Sequence, residues 1–268
     1  MIAPELSHWQ LQRAPFTGRL AATDYIPTAG QDEALARLRF LVEGRKRLGL
    51  MVGPAGTGKS LTLEVFAAQE RLRAAVATRI SLVGVEPTEL LNRLIDAWQA
   101  NVEHAATTSD RWAGIFARLA EFRVCRTPVT LLLDDVDQAT PATLQVVLRL
   151  LLHDASPRWP LTIVLASRTE GAPTLPMRLL ERVDLRIDVD AWTPDDTQAF
   201  VSDALRQAGR VAPLFQINAV ESLHALTGGV ARHVQQLAEL ALIAGAGQGL
   251  SQIDAEVIDS VHAELASV

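Results

Sequence analysis

With 268 residues, 49% of them apolar and 21% charged, the chain can bury a sizeable core as one large domain or as one domain plus a smaller one. Its net charge of −6 argues against a broad, non-specific nucleic-acid surface though not against a local basic patch, and its single cysteine, Cys125, rules out an intrachain disulfide. No uncharged apolar run reaches the ~18 residues of a membrane span, and Met1-Ile2-Ala3-Pro4-Glu5 lacks a signal-peptide core, so a cytoplasmic protein without membrane insertion is expected.

Residues 1–30 read as an irregular lead-in, with Pro15-Phe16 and Tyr25-Ile26-Pro27 as packing points. The spacing of Leu35, Leu38, Leu41 and Val42 predicts an amphipathic helix from Gln31 to about Arg47. The run Leu48-Gly49-Leu50-Met51-Val52 predicts a short buried strand, followed by a loop and a helix from Ser60 to about Gln69. A second strand is expected at Ala74–Ser81, then helices at about Pro87–Gln99 and Asp110–Arg123, the latter capped by Ser109. Val129–Asp134 predicts a third strand, Pro141–His153 a helix, Leu161–Ser167 a fourth strand and Val183–Val189 a fifth.

The period changes after Trp192. Thr193-Pro194-Asp195-Asp196 has a cap residue, Pro in the first turn and acids against the helix dipole, which marks a helix start. From there only helical patterns follow, at about 194–208, 216–226, 230–244 and 254–265. The expectation is therefore an α/β body at 1–190 and a helical domain at 191–268. Strands alternating with helices imply a parallel sheet covered on both faces.

The loop between the first strand and its helix carries the chemistry. Gly53-Pro54-Ala55-Gly56-Thr57-Gly58-Lys59-Ser60 fits G-x-x-x-x-G-K-[ST], with strand before and helix after. Glycines let the backbone curl until its N–H groups face phosphate oxygens, and the helix adds its N-terminal dipole. Lys59 would reach the β- and γ-phosphates and the Ser60 hydroxyl would ligate Mg2+, with Leu61 completing the nucleotide-binding stretch. The base is read as adenine: the only lysines are Lys46 and Lys59, so no N-K-x-D is present, and the acidic strand end reads Asp134-Asp135-Val136-Asp137-Gln138 rather than D-x-x-G.

Val129-Thr130-Leu131-Leu132-Leu133-Asp134-Asp135 has the form of a buried strand opening into a ligand crevice. Asp134 would hold the magnesium shell. Asp135 would orient and deprotonate the attacking water, a place more often held by Glu; a displacement of ~1 Å can cost about 100-fold in rate, so slow hydrolysis is open. Ser167 ends the fourth strand, where it could touch γ-phosphate or water, although an ordinary turn explains it as well. Arg232, on the first turn of a tail helix, opposes the dipole and could be offset by a phosphate or simply be exposed. Arg178 and Arg182 suit bidentate phosphate contact, and one of them could act on a neighbouring subunit's ATP; a solvated helix face explains them equally. His153, His224 and His233 have no metal-ligand spacing, and nothing resembles a nucleophilic triad.

Phosphate loop, acidic strand end, polar strand end, Gly228-Gly229-Val230-Ala231-Arg232 and helical tail, in this order, resemble an AAA+ ATPase. More narrowly the chain is similar to the ExeA-type ATPases, also called general secretion pathway protein A, a group related to the transposition ATPases of the TniB and MuB kind. Ala14-Pro15-Phe16 and the closing Ile253–Leu265 helix belong to the same likeness. Two positions depart from the family pattern: Asp135 stands for Glu, and Ala231 stands for the proline of G-G-x-P-R. The secretion proteins carry a membrane span and a peptidoglycan-binding region after the ATPase, and neither follows here, so the resemblance is not expected to carry a role in secretion.

The resemblance implies a P-loop NTPase fold, a five-stranded parallel sheet sandwiched by helices and followed by an all-helical lid. It implies an ATPase using ATP and Mg2+, with Lys59, Asp135, Ser167, Arg232 in cis and Arg182 or Arg178 in trans around the transferred phosphate. It also implies a homo-oligomer, as a ring or an ATP-dependent assembly, whose lid motion remodels or recruits an unknown client. The alternative is a slow or non-hydrolysing ATP-dependent switch that captures DNA or a protein, DNA being disfavoured by the acidic charge. A small-molecule kinase is a third reading with less in its favour.

Overall fold

In the computed structural model, which describes residues 4–16, 25–102, 107–154, 156 and 159–266, five strands form one all-parallel sheet. The elements run α1 (Pro4–His8), α2 (Ala29–Glu43), β1 (Leu48–Gly53), α3 (Lys59–Leu72), β2 (Val76–Ser81), α4 (Pro87–Trp98) and α5 (Thr108–Val124). They continue with β3 (Val129–Asp134), α6 (Pro141–Leu152), β4 (Leu161–Arg168), α7 (Met177–Leu180) and β5 (Leu185–Asp188). Four helices follow: α8 (Pro194–Gln207), α9 (Ile217–Thr227), α10 (Ala231–Gly247) and α11 (Ala255–Ala266).

Sheet order is β2-β3-β4-β1-β5, and position in it explains composition. The inner strands β1 and β3 are buried at every residue, as continuous apolar runs must be when helices cover both faces. The edge strands β2 and β5 are only partly buried and can carry polar residues such as Arg79, Ser81 and Arg186. Parallel register aligns the carboxyl ends: Val52 opposes Ser167 and Ser81 opposes Asp134.

Contacts divide the chain into two units, each with its own core. The sheet unit holds Glu33–Gly53 and Lys59–Val189. Its core joins Leu131, Leu133, Ile163 and Leu165 to Trp98 of α4 and Ile115 and Leu119 of α5. The helical unit holds the described residues up to Asp32, Pro54–Gly58 and those from Asp190 onward. Its core is Phe16, Phe200, Phe215, Val234, Leu237 and Ile258, around Trp9, whose Nε1 donates to the Leu242 carbonyl at 2.8 Å.

Several local expectations need correction. The lead-in is not wholly irregular, because α1 forms and delivers Trp9 to a core. The helix before β1 spans Ala29–Glu43, since Arg45 takes a left-handed φ of 51° that ends it. β2 begins at Val76 because Ala74 is left-handed as well. The cap of α5 is Thr107, not Ser109: Thr107 accepts from the Asp110 N–H and Asp110 reciprocates, a capping box that Ser109 has no acid to complete. β5 is shorter than expected, Leu185–Asp188. Phe16 and Ile26 are buried, as expected of packing points.

Candidate nucleotide site

The turn that leaves β1 needs its glycines. Gly56 and Gly58 sit at φ 83° and 98°, in the left-handed region that side chains disfavour. A Cβ on Gly58 would lie 2.6 Å from Nε2 of the buried Gln31, and one on Gly56 would lie 2.9 Å from Val230 and 3.2 Å from Cβ of Arg232. The Gly56 carbonyl accepts from the Arg232 N–H at 3.1 Å. The middle of the loop is thus packed on the first turn of α10, within the helical unit.

At the start of α3 in the sheet unit, Lys59 is buried and its Nζ donates to the Gly53 carbonyl at 2.7 Å. Burial depresses the ammonium below the usual lysine range; the negative charges of Asp134, Asp137, Asp135 and Glu170 work in the opposite direction. A buried cation whose charge is favoured by nearby acids is chemically suited to a phosphate chain. Ser60 is half-buried on the following residue.

Asp134 ends β3 with only 2% of its side chain exposed. Arg79 of β2 donates to its Oδ2 at 2.6 Å, and the Asp135 N–H donates to its Oδ1 at 3.1 Å. Asp135 is left-handed at φ 55°, and its Oδ2 accepts from the Ser81 hydroxyl at 2.9 Å. Ser167 is buried at the end of β4, its hydroxyl donating to the Arg168 carbonyl at 3.0 Å. Beside it, Asp137 accepts from Arg168 Nε at 2.7 Å and from the Arg168 N–H. Burial pushes the Asp137 carboxyl up, but hydrogen bonds from Gln138 and Arg168 hold it below the ordinary carboxylate range.

The sheet unit therefore brings Lys59, Asp134, Asp135 and Ser167 to one end of the sheet. It does not bring Arg182 there. Arg182 is exposed before β5, and its charge is felt by Arg47, at the start of β1 and so at the opposite end of a parallel sheet. Arg178 is exposed on α7. Arg232 is exposed on α10, while the glycines before it have structural work: Gly228 caps α9 at φ 58°, and a Cβ on Gly229 would lie 2.2 Å from the Trp192 carbonyl oxygen.

Sequence reasoning missed Arg79, Ser81, Gln31 and the Asp137–Arg168 pair. For the first two a signal existed. In Val76-Ala77-Thr78-Arg79-Ile80-Ser81 the residues Arg79 and Ser81 alternate onto one face next to the end of the strand.

Magnesium is commonly held by one or two carboxylates together with substrate phosphates and water, not by an all-protein cage. Asp134 is a carboxylate of that kind, and the Ser60 hydroxyl would add a further oxygen ligand. Among the described residues there is no cluster of three or more His, Cys, Asp or Glu side chains that would make such a cage. No helix among them is long and apolar enough to cross a membrane.

The family model described as AAA ATPase domain matches residues 27–164, more than half of the chain. General secretion pathway protein A of Aeromonas hydrophila is 25% identical over 225 residues, covering 82% of this chain and 41% of that protein. The chain thus spans well under half the length of the curated relative it matches. Among solved structures it is similar to Aeropyrum pernix Orc1 in complex with DNA, with TM-score 0.70, 15% identity, and 96% of this chain and 69% of that one covered. It is also similar to the Thermotoga maritima RuvB Holliday junction branch migration motor, with TM-score 0.63, 13% identity and coverage of 94% and 74%. Cdc6p of Pyrobaculum aerophilum gives 0.69, 16%, 90% and 69%. At these identities the structural likenesses establish the fold, a P-loop NTPase sheet with a helical C-terminal region.

Proposed function

Because the chain belongs to the AAA ATPase domain family, we propose that it binds ATP through Gly53–Ser60 and Leu61 and hydrolyses it with Mg2+. The observation that carries this reading is Lys59, a buried ammonium held against the Gly53 carbonyl and favoured by the negative charges of four acids. Lys59 neutralises phosphate charge, Asp135 orients and deprotonates water, and Ser167 contacts the phosphate or that water. Arg232 reads the phosphate state from α10, whose first turn is bonded to Gly56. Magnesium, when bound by Ser60 and Asp134, supplies charge neutralisation on the phosphates. Arg182 serves in trans within a homo-oligomer, a role supported by its place away from the Lys59 end of its own sheet. By chain order the nucleotide-binding domain is 1–190 and the lid 191–268, with the described residues up to Asp32 and Pro54–Gly58 grouping by contacts with the helical unit; movement of the lid remodels a protein client.

A second reading is favoured by Asp135: it is one methylene shorter than Glu, and its carboxylate is already bonded to Ser81. On that reading hydrolysis is slow and ATP drives assembly or capture of a protein or DNA. The structural neighbours include Aeropyrum pernix Orc1 in complex with DNA and Drosophila ORC bound to DNA, while the net charge of −6 weighs against a DNA surface here.

Steady-state ATP hydrolysis with magnesium across protein concentrations, beside Asp135→Asn, separates the two. A rate that rises with concentration and collapses in the variant supports an oligomeric ATPase. ATP binding without turnover above background selects the switch.

A further inference from the structure

Arg79 is a cation where the reading above requires a metal. It reaches from β2 to Asp134 Oδ2 at 2.6 Å and lies 3.8 Å from Glu64 Oε2 of α3, all within the sheet unit. Asp134, Arg79 and Glu64 have 2%, 20% and 27% of their side chains exposed, so the network is mostly withdrawn from water. The Arg79 Nε–H is buried with no hydrogen-bond partner among the described residues. A guanidinium that leaves a buried donor unsatisfied is not seated at its most favourable place. Its position is set by the acids at its other end.

A buried carboxylate without a counter-charge is costly. Asp134, with Oδ2 on Arg79 and Oδ1 on the Asp135 N–H, instead has its charge paired and each oxygen bonded once. A divalent cation arriving at Asp134 meets an acid whose charge is already compensated and a second cation beside it. We propose that Arg79 is a positioning residue that stands in for the metal at Asp134 and makes divalent-cation binding contingent on nucleotide phosphates, which bring the extra negative charge that overcomes it. This inference rests on the nucleotide-site reading, with Asp134 as the metal-holding acid. Glu64 moderates the effect by drawing part of the guanidinium charge toward α3.

The test is Mn2+ binding to the full chain, followed by electron paramagnetic resonance, with and without ADP. Without nucleotide, Arg79→Gln should bind Mn2+ about tenfold more tightly than the parent, because removing a like charge a few ångströms from a partly buried site relieves repulsion of that order. Arg79→Lys, which keeps the charge, should stay within about threefold of the parent, and Glu64→Gln should shift the opposite way, to about two- to threefold weaker binding. With ADP the gap between parent and Arg79→Gln should narrow. Equal or weaker Mn2+ binding by Arg79→Gln overturns the proposal. Should that variant not fold, Glu64→Gln decides alone, since unchanged or tighter binding there is the contrary result. ADP affinity of the parent in EDTA is read in parallel; its absence would count against the phosphate-loop reading, whereas ADP binding with no Arg79 effect would count against this inference only.

Discussion

Two arginines of the sheet unit contrast with one of the helical unit. In the sheet unit, Arg79 and Arg168 each hold a nearly buried acid, Asp134 and Asp137, at 2.6 and 2.7 Å. In the helical unit, Arg232 is exposed on the first turn of α10, where the helix dipole opposes it, and it has no ion pair among the described residues. In the Arg79–Asp134 and Arg168–Asp137 pairs charge is compensated in place, which holds these two acids in position. Charge on α10 is uncompensated, and its backbone is bonded to the loop that would hold phosphate. On the proposed function, the first pairs would be a pre-set binding floor and α10 a responsive element.

The cores differ in the same direction. The sheet unit is built on inner strands that need no outside help, whereas the helical unit depends on Trp9, supplied from the far end of the chain. Trp9→Ala should therefore be the largest perturbation, about 3–5 kcal/mol from the lost aromatic volume and its hydrogen bond to Leu242. Hydrogen exchange should show lost protection over α8–α11, with β1, β3 and β4 spared. Equal loss in both units would erase the distinction drawn between them.

Asp137→Asn tests the pre-set charges. It should cost about 1–3 kcal/mol near neutral pH by weakening the charge-assisted bonds to Arg168. The Asp137 carboxyl is held below the ordinary carboxylate range in the folded chain. Its contribution is therefore present above that range and lost as pH falls through the depressed value. Denaturant melts of parent and variant should converge in acid. A gap that is constant down to about pH 2 would mean that the carboxylate charge is not what matters.

The smallest effect expected is at the cap of α5. Thr107→Ala should cost about 1 kcal/mol in thermal or urea unfolding, while Ser109→Ala should stay within about 0.5 kcal/mol. The reverse order would restore the cap expected from sequence.

What could be read from sequence was local or periodic. Val129–Asp134 was legible because a short run, apolar but for Thr130 and ending in an acid, fits a strand buried on both faces. Lys59 was legible because the loop motif fixes its neighbours. The cap was misread although Thr107-x-x-Asp110 was there, since Ser109 lies closer to the apolar pattern. α1 is too short to show a period, and its importance comes from Trp9 meeting α10, more than 200 residues away. Arg79 and Ser81 went unread, although their alternation marks them as a polar pair on one strand face. That they meet Asp134 and Asp135 depends on the register of β2 against β3, a pairing between segments about 50 residues apart that no local pattern contains.

On the proposed function, Gly53–Ser60 holds a nucleotide through Lys59. Calorimetric titration of the full chain with ATP and magnesium, beside Lys59→Ala, tests it most directly. Saturable binding by the parent and a loss of at least about 100-fold in the variant, ~2.7 kcal/mol, is the predicted result. Undiminished affinity in Lys59→Ala, or no binding by the parent, would contradict the account.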